Sequence, residues 1–329
     1  MQKPLTMAKR AQYDTVSENF LYQALLASQK SHDFAFKEGA ALATVDNRLI
    51  GIGYNGVARP FDPDVLKKTG YADTYFHISA PENAIYNALA KDLRESSVHV
   101  TYLPCPTCLN ALIQCGVSKI TYASDVHVKR EYEWANVTKE MLTHLVDTIA
   151  ITKYTGRKIL TLDEEISSWD EKHMFAAAIA AERSKDPNTQ VGAIVVDSQN
   201  REMGTGYNGF ARNISDDDFP WSSESKNIHE QKYPYIIHAE RNALLNAAVS
   251  TMRLLNEGTA YLTHFPKPEA VQGLIQVGIK RIVYLNQNPT LTPDEQIASQ
   301  KMLEYLSAEG LMGSKKTTID TSRVIRIPD

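Results

Sequence analysis

The feature that most constrains this chain is that its sequence is written twice. Gly39-Ala40 recurs as Gly192-Ala193, and Gly53-Tyr54-Asn55-Gly56 as Gly206-Tyr207-Asn208-Gly209, both at an offset of 153. Asn83-Ala84-Ile85-Tyr86-Asn87-Ala88 returns as Asn242-Ala243-Leu244-Leu245-Asn246-Ala247 at an offset of 159. Leu103-Pro104-Cys105-Pro106-Thr107-Cys108 aligns with Phe265-Pro266-Lys267-Pro268-Glu269-Ala270 at an offset of 162. Four ordered blocks with slowly growing offsets mark a duplication. A repeat of about 155 residues is a whole globular unit, since solenoid repeats are far shorter. In a chain of 329 residues each copy can bury its own core. The expected organisation is one module over residues 1–160 and a second over 161–329, with the boundary between Thr155-Gly156 and Ser168.

Each copy reads alike. Phe20–Ser31 and Trp169–Arg183 carry apolar residues at helical spacing. Strand pairs follow, Ala40–Val45 with Leu49–Gly53 and Ala193–Val196 with Met203–Gly206, turning at Asp46-Asn47 and near Gln199-Asn200. Then come a helix from about Glu82 or Glu240, a strand (Val98–Leu103, Ala260–Phe265), a helix after Pro104 or Pro266, and a strand (Lys119–Tyr122, Arg281–Tyr284). Alternating strands and helices imply a layered α/β sandwich around a mixed sheet. Two such modules make a pseudo-dimer, and a further homo-oligomer is open to it.

Composition narrows the partners. With 43% apolar and 22% charged residues, a net charge of −4 and a pI near 6.2, this is an ordinary globular composition. No basic run with interleaved aromatics offers a nucleic-acid groove, so nucleic acid is not expected as a partner. The longest apolar run, Met174–Ala181, is too short to span a bilayer, so no membrane association is expected. Met1-Gln2-Lys3-Pro4 shows no hydrophobic signal region. Three cysteines, two of them in a C-x-x-C, favour a reducing compartment, and the expected location is cytoplasmic.

Two fragments carry chemistry: His238-Ala239-Glu240 in the second copy and Pro104-Cys105-Pro106-Thr107-Cys108 in the first. Together they make the H-x-E and P-C-x-x-C signature of zinc nucleobase deaminases, in which one His and two Cys hold zinc and a non-ligand Glu moves protons. The second half resembles deoxycytidylate (dCMP) deaminases along nearly its whole length. The matching segments are Trp169-Asp170-Glu171, Arg183–Ala193 (Arg-Ser-Lys-Asp-Pro-Asn-Thr-Gln-Val-Gly-Ala), Gly206–Gly209 and Tyr233–Glu240. The first half is a weaker relative, similar mainly in Gly53–Gly56 and Pro104–Cys108. The resemblance implies a cytidine-deaminase fold, zinc, and hydrolysis of a cytosine 4-amino group on a nucleotide. It also places the Gly-Tyr-Asn-Gly loop near the nucleotide, which makes Asn55, Tyr207 and Asn208 candidates for binding substrate or effector.

The departures from the family pattern decide the function. Where the second copy has His238 and Glu240, the first has Ser79 and Pro81, and Ser79-Ala80-Pro81-Glu82 reads as a capping box at a helix start. Where the first copy has Cys105 and Cys108, the second has Lys267 and Ala270. Neither module alone holds the full ligand set. One reading assembles a composite site: Cys105, Cys108 and His238 on zinc, Glu240 as proton shuttle, acting on a deoxycytidine nucleotide. It requires the helix at Glu240 to pack beside the helix after Cys108, an exchange of elements between copies that chain continuity disfavours. The rival reading is a catalytically inactive nucleotide-binding or scaffold protein. In the composite reading the leftover elements form a dead site, free to bind a nucleotide effector or simply to support the fold. Lys267 reads as an ammonium standing in for the metal's charge or as a solvated lysine. His77 reads as a surface or packing residue, or as a third ligand through a shifted loop; His264 reads as a strand residue and Cys115 as core.

Overall fold

A computed structural model describes residues 16–33, 36–57, 77–90, 92–124, 138, 141, 149–155, 166, 168–211, 220–247, 255, 257–308 and 313–317. The expected module boundary falls largely outside these. The first half runs α1 (Val16–Ser28), β1 (Gly39–Ala43), β2 (Leu49–Tyr54), β3 (Gly56–Val57), β4 (His77–Ile78), α2 (Ala80–Tyr86), β5 (Ser97–Tyr102), α3 (Pro106–Gln114), β6 (Lys119–Ser124) and β7 (Ala150–Lys153). The second runs α4 (Trp169–Ala181), β8 (Gly192–Val196), β9 (Glu202–Tyr207), β10 (Gly209–Phe210), β11 (Ile236–Ile237), α5 (Ala239–Asn246), β12 (Thr259–His264), α6 (Pro268–Gln276), β13 (Arg281–Asn286), α7 (Pro293–Ala308) and β14 (Gly313–Lys316).

Both halves build the same five-stranded mixed sheet, ordered β2-β1-β5-β6-β7 and β9-β8-β12-β13-β14. In each, the first three strands are antiparallel neighbours and the last three parallel ones. The duplication extends to irregularities. A register shift falls at Leu42/Ala43 and again at Val195/Val196. Left-handed backbone recurs at Asn47 and Asn200, at Glu95 and Glu257, and at Gly116 and Gly278. The asparagines suit it, because a short polar side chain tolerates this conformation in a tight hairpin. The tandem α/β reading holds, and the structure adds the fifth strand of each sheet, the small β3–β4 and β10–β11 ladders, and α7.

The two sheets are joined through helices. α1 and α4 pack together, so that Tyr22 and Leu26 share one buried cluster with Met174, Phe175, Ile179, Ile194 and Tyr261. Asn19 donates to the carbonyl of Ile179 at 2.8 Å and Gln23 to that of Ala176 at 3.2 Å, the first satisfying a carbonyl at the end of α4. The Arg183 guanidinium lies 5.4 Å from the Phe20 ring and 4.9 Å from that of Tyr207, and donates to the carbonyl of Asn47 at 3.2 Å. α1 therefore belongs to both cores.

Candidate nucleotide site

The site in the second module begins with a close strand–helix contact. A Cβ on Gly206 would lie 2.2 Å from the carbonyl oxygen of Ala239, so glycine at this place lets α5 settle onto β9. Gly53 does the same for α2, where the distance to Ala80 is 2.1 Å. Asn242 and Asn246 then fasten α5, donating to the carbonyls of Tyr207 and Thr205 at 2.8 and 2.9 Å. Asn83 and Asn87 repeat this with Tyr54 and Ile52 at 2.8 and 3.1 Å.

So placed, α5 starts at a fixed point. His238 is its N-cap residue, with no side-chain cap bond, and its imidazole lines a cleft of about 770 Å³. Burial, and after it the charge of Lys267, push the His238 pKa down and keep the ring neutral. Glu240, in the first turn, is buried and lines a recess of about 30 Å³ that shares His238 and Lys267 with the cleft. Burial raises its carboxyl pKa, opposed by a backbone hydrogen bond and by Lys267.

Lys267 is the N-cap of α6, and it lines both cleft and recess. Its ammonium sits 5.1 Å from the centre of the Tyr233 ring and 3.6 Å from a carboxylate oxygen of Glu295, with the side chain 14% exposed. It is no solvated surface lysine. Glu295 comes from α7, whose start is closed by a reciprocal box: the Thr292 amide donates to Glu295 at 2.8 Å, and the Glu295 amide to the Thr292 hydroxyl at 3.2 Å. Arg241, Glu269, Thr290 and Thr292 also line the cleft. The T-x-x-E at 292–295 was a legible signal for this helix and was missed. So was the buried Lys232–Asp186 ion pair at the recess wall.

The candidate loop residues are occupied. Asn208 accepts from the Val191 amide at 2.7 Å and donates to the carbonyl of Thr189 at 2.9 Å and to Asp186 at 3.1 Å. It lines the recess while bracing the loop that shapes it. Asn55 accepts from the Glu38 amide and donates to the carbonyl of Phe36, both at 2.7 Å. The ring of Tyr207 lies under Arg183 and lines neither cavity.

Zinc chemistry does not fit the second module. At the helix starts where three ligands would meet, the chain presents an imidazole, an ammonium and the methyl group of Ala270, and a protonated lysine has no lone pair to give. In the first module Cys105 and Cys108 stand at the N-terminus of α3 and are joined as a disulfide. In the same module Ser79 caps α2, accepting from the Glu82 amide at 3.3 Å and donating to the Glu82 carboxylate at 2.9 Å. The glutamate takes the hydroxyl rather than the cap's backbone amide. Among the described residues no group of three His, Cys, Asp or Glu is disposed to hold a metal.

Nor does the fold exchange elements within the chain. α5 packs on β8, β9 and α6, while α2 packs on β1, β2 and α3. Each half-motif thus stays with its own sheet, as short connections between consecutive elements favour. Cys105 and Cys108 are therefore in one module and His238 and Glu240 in the other. His264 is buried at the end of β12, Cys115 is half-buried at the C-cap of α3, and the His77 side chain lies outside the described residues.

A paired-sheet α/β protein with a nucleotide-sized cleft at facing helix starts is the class this geometry defines. Residues 14–124 and 167–286 both match the cytidine and deoxycytidylate deaminase zinc-binding region, and the chain belongs to that family. It is 44% identical over 151 residues to a probable deoxycytidylate deaminase of Drosophila melanogaster, covering 44% of this chain and 72% of the relative. It is 39% identical over 123 residues to deoxycytidylate deaminase of Homo sapiens, covering 37% of this chain and 67% of that one. Among solved structures, dCMP deaminase of the cyanophage S-TIM5 matches with a TM-score of 0.34 and 23% identity, covering 45% of this chain and 95% of the other. No helix among the described residues is long and apolar enough to cross a membrane.

Proposed function

We propose that this protein binds a deoxycytidine nucleotide in the cleft of its second module, and that it does so without zinc, as a catalytically inactive member of a deaminase family. The observation that carries this reading is the place of Lys267: its ammonium stands on the recess shared by His238 and Glu240, at the position where the family signature has a metal-binding cysteine. A fixed positive charge takes over part of the metal's electrostatic role beside the buried carboxyl, and cannot activate a water as zinc does. The cleft volume suits a nucleotide, and Arg241 and Lys267 offer charge for a phosphate. The names of the relatives direct the choice to a deoxycytidine nucleotide.

The test is calorimetric titration of the full chain with dCMP after exhaustive chelation. Saturable binding that Lys267→Ala weakens at least tenfold is expected, with no deoxyuridine nucleotide formed on long incubation. Absence of binding would sink the reading.

A second reading is favoured by the intactness of each half-motif at equivalent helix starts. It is zinc-dependent deamination of a deoxycytidine nucleotide through Cys105 and Cys108 of one molecule and His238 of a second molecule, with Glu240 moving the proton. Metal retention together with product formation in the same incubation would establish it in place of the first.

A further inference from the structure

We infer that Cys105 and Cys108 form a reversible dithiol–disulfide centre that exchanges with a low-molecular-weight disulfide of the glutathione type. The pair is joined as a disulfide across the first turn of α3, with the two Cα atoms 5.0 Å apart, inside the range that a disulfide spans without moving the backbone. The two sulfurs are not equivalent. Cys105 is half-buried and reachable, whereas Cys108 is 1% exposed.

The surroundings single out Cys105 as the sulfur that meets the partner. Its Sγ accepts the Cys108 backbone amide at 3.2 Å and lies 3.0 Å from the Thr107 hydroxyl. A sulfur in a disulfide has no proton, so Thr107 is the donor there. Both bonds place the Cys105 sulfur at the open start of the nine-residue helix α3. A structural zinc would suppress this chemistry, but the third ligand position holds Ser79, whose hydroxyl is spent on Glu82. The second module keeps no such pair, having Lys267 and Ala270.

The exchange balances. The Cys105 thiolate attacks one sulfur of the small disulfide, forming a mixed disulfide and expelling one thiolate. The Cys108 thiol then gives its proton to solvent and attacks the Cys105 sulfur, forming the internal disulfide and expelling the second thiolate. Counted from the dithiol, whose Cys105 proton passes to solvent as the thiolate forms, the protein loses two electrons and two protons, and the two expelled thiolates take up two protons to become two thiols.

The experiment equilibrates the folded full chain with glutathione buffers of graded ratio, quenches with an alkylating agent and reads intact mass, with zinc measured on the same samples. The expected result is concerted loss of two alkylation sites as the oxidised form rises, with Cys115 remaining. Cys108→Ser should accumulate one glutathionyl group at position 105. Cys105→Ser, which keeps a good helix cap, should accumulate none. Circular dichroism of each variant establishes that it is folded. Thiols that stay alkylatable throughout, capture at Cys108 instead of Cys105, or stoichiometric zinc that blocks oxidation would each overturn the inference.

Discussion

Lys267 and His238 cap two neighbouring helices of the second module and line the same recess, with the ammonium helping to hold the imidazole neutral. Their counterparts in the first module, Cys105 and Ser79, have nearly the same backbone. Lys267 has φ −70° and ψ 160°, against −66° and 163° for Cys105. His238 has −66° and 152°, against −69° and 156° for Ser79. The split signature is thus a difference of side chains on a shared frame.

That frame makes a metal site recoverable. Lys267→Cys with Ala270→Cys would present two sulfurs to His238 from a helix start shaped like that of α3. The double variant is expected to retain about one zinc per chain through gel filtration, with sulfur and nitrogen ligands near 2.3 and 2.0–2.1 Å by X-ray absorption. Each single variant should retain far less. A double variant that folds yet loses its metal would show that the frame is not equivalent at the ligand atoms.

Glu38 gives the first module a pH signature. Burial pushes its carboxyl up to about 7, the amide of Ala80 opposes this with a hydrogen bond at 3.1 Å, and the nearby charge of Glu82 adds to it. Between the unfolded value near 4.5 and about 7, the folded chain holds a proton that the unfolded chain has lost. This contribution to stability is complete below the lower value and is lost as pH rises through the upper one. Glu38→Gln mimics the protonated form. It is expected to match the wild type near pH 4, below the unfolded value, and to exceed it by about 1–3 kcal/mol near pH 8 in denaturant titrations. An equal difference at both pH values would contradict the assignment.

Much of this was legible beforehand because a duplication constrains a fold twice over. Glycines at 53 and 206, asparagines at 83 and 242, and the turn residues Asn47 and Asn200 each do in one copy what they do in the other. The Ser79 cap was readable from S-x-x-E alone. What escaped was long-range. No local pattern says that Lys267 turns inward under Tyr233, because that depends on α7 arriving with Glu295. Asn55 and Asn208 are candidate binding residues by sequence, and the structure adds that their amides brace the loops around them. Whether the copies exchange helices is likewise a matter of packing, which motif spacing does not encode.

Ser79 is expected to act as a cap and nothing more. Ser79→Ala removes the acceptor for the Glu82 amide and should lower stability by about 1 kcal/mol, the usual effect at helix N-termini. Thermal unfolding measures the loss, and metal analysis should show the same content as the parent. A change in metal would mean that the hydroxyl is a ligand.

The union of the modules is itself testable at Phe175. This side chain of α4 is fully buried in the cluster that α1 shares through Tyr22 and Leu26. Two modules that merely touched would unfold separately, and a cavity in one would leave the other unchanged. A shared cluster couples them, because opening either module exposes the same apolar surface. Phe175→Ala is expected to lower stability by about 3–5 kcal/mol, counting the lost transfer energy and the cavity together. The whole unfolding curve should move as one transition by circular dichroism, with slope preserved. Limited proteolysis should likewise release fragments of both halves together. A biphasic curve in which the half containing α4 alone shifts would show that the two cores are energetically independent.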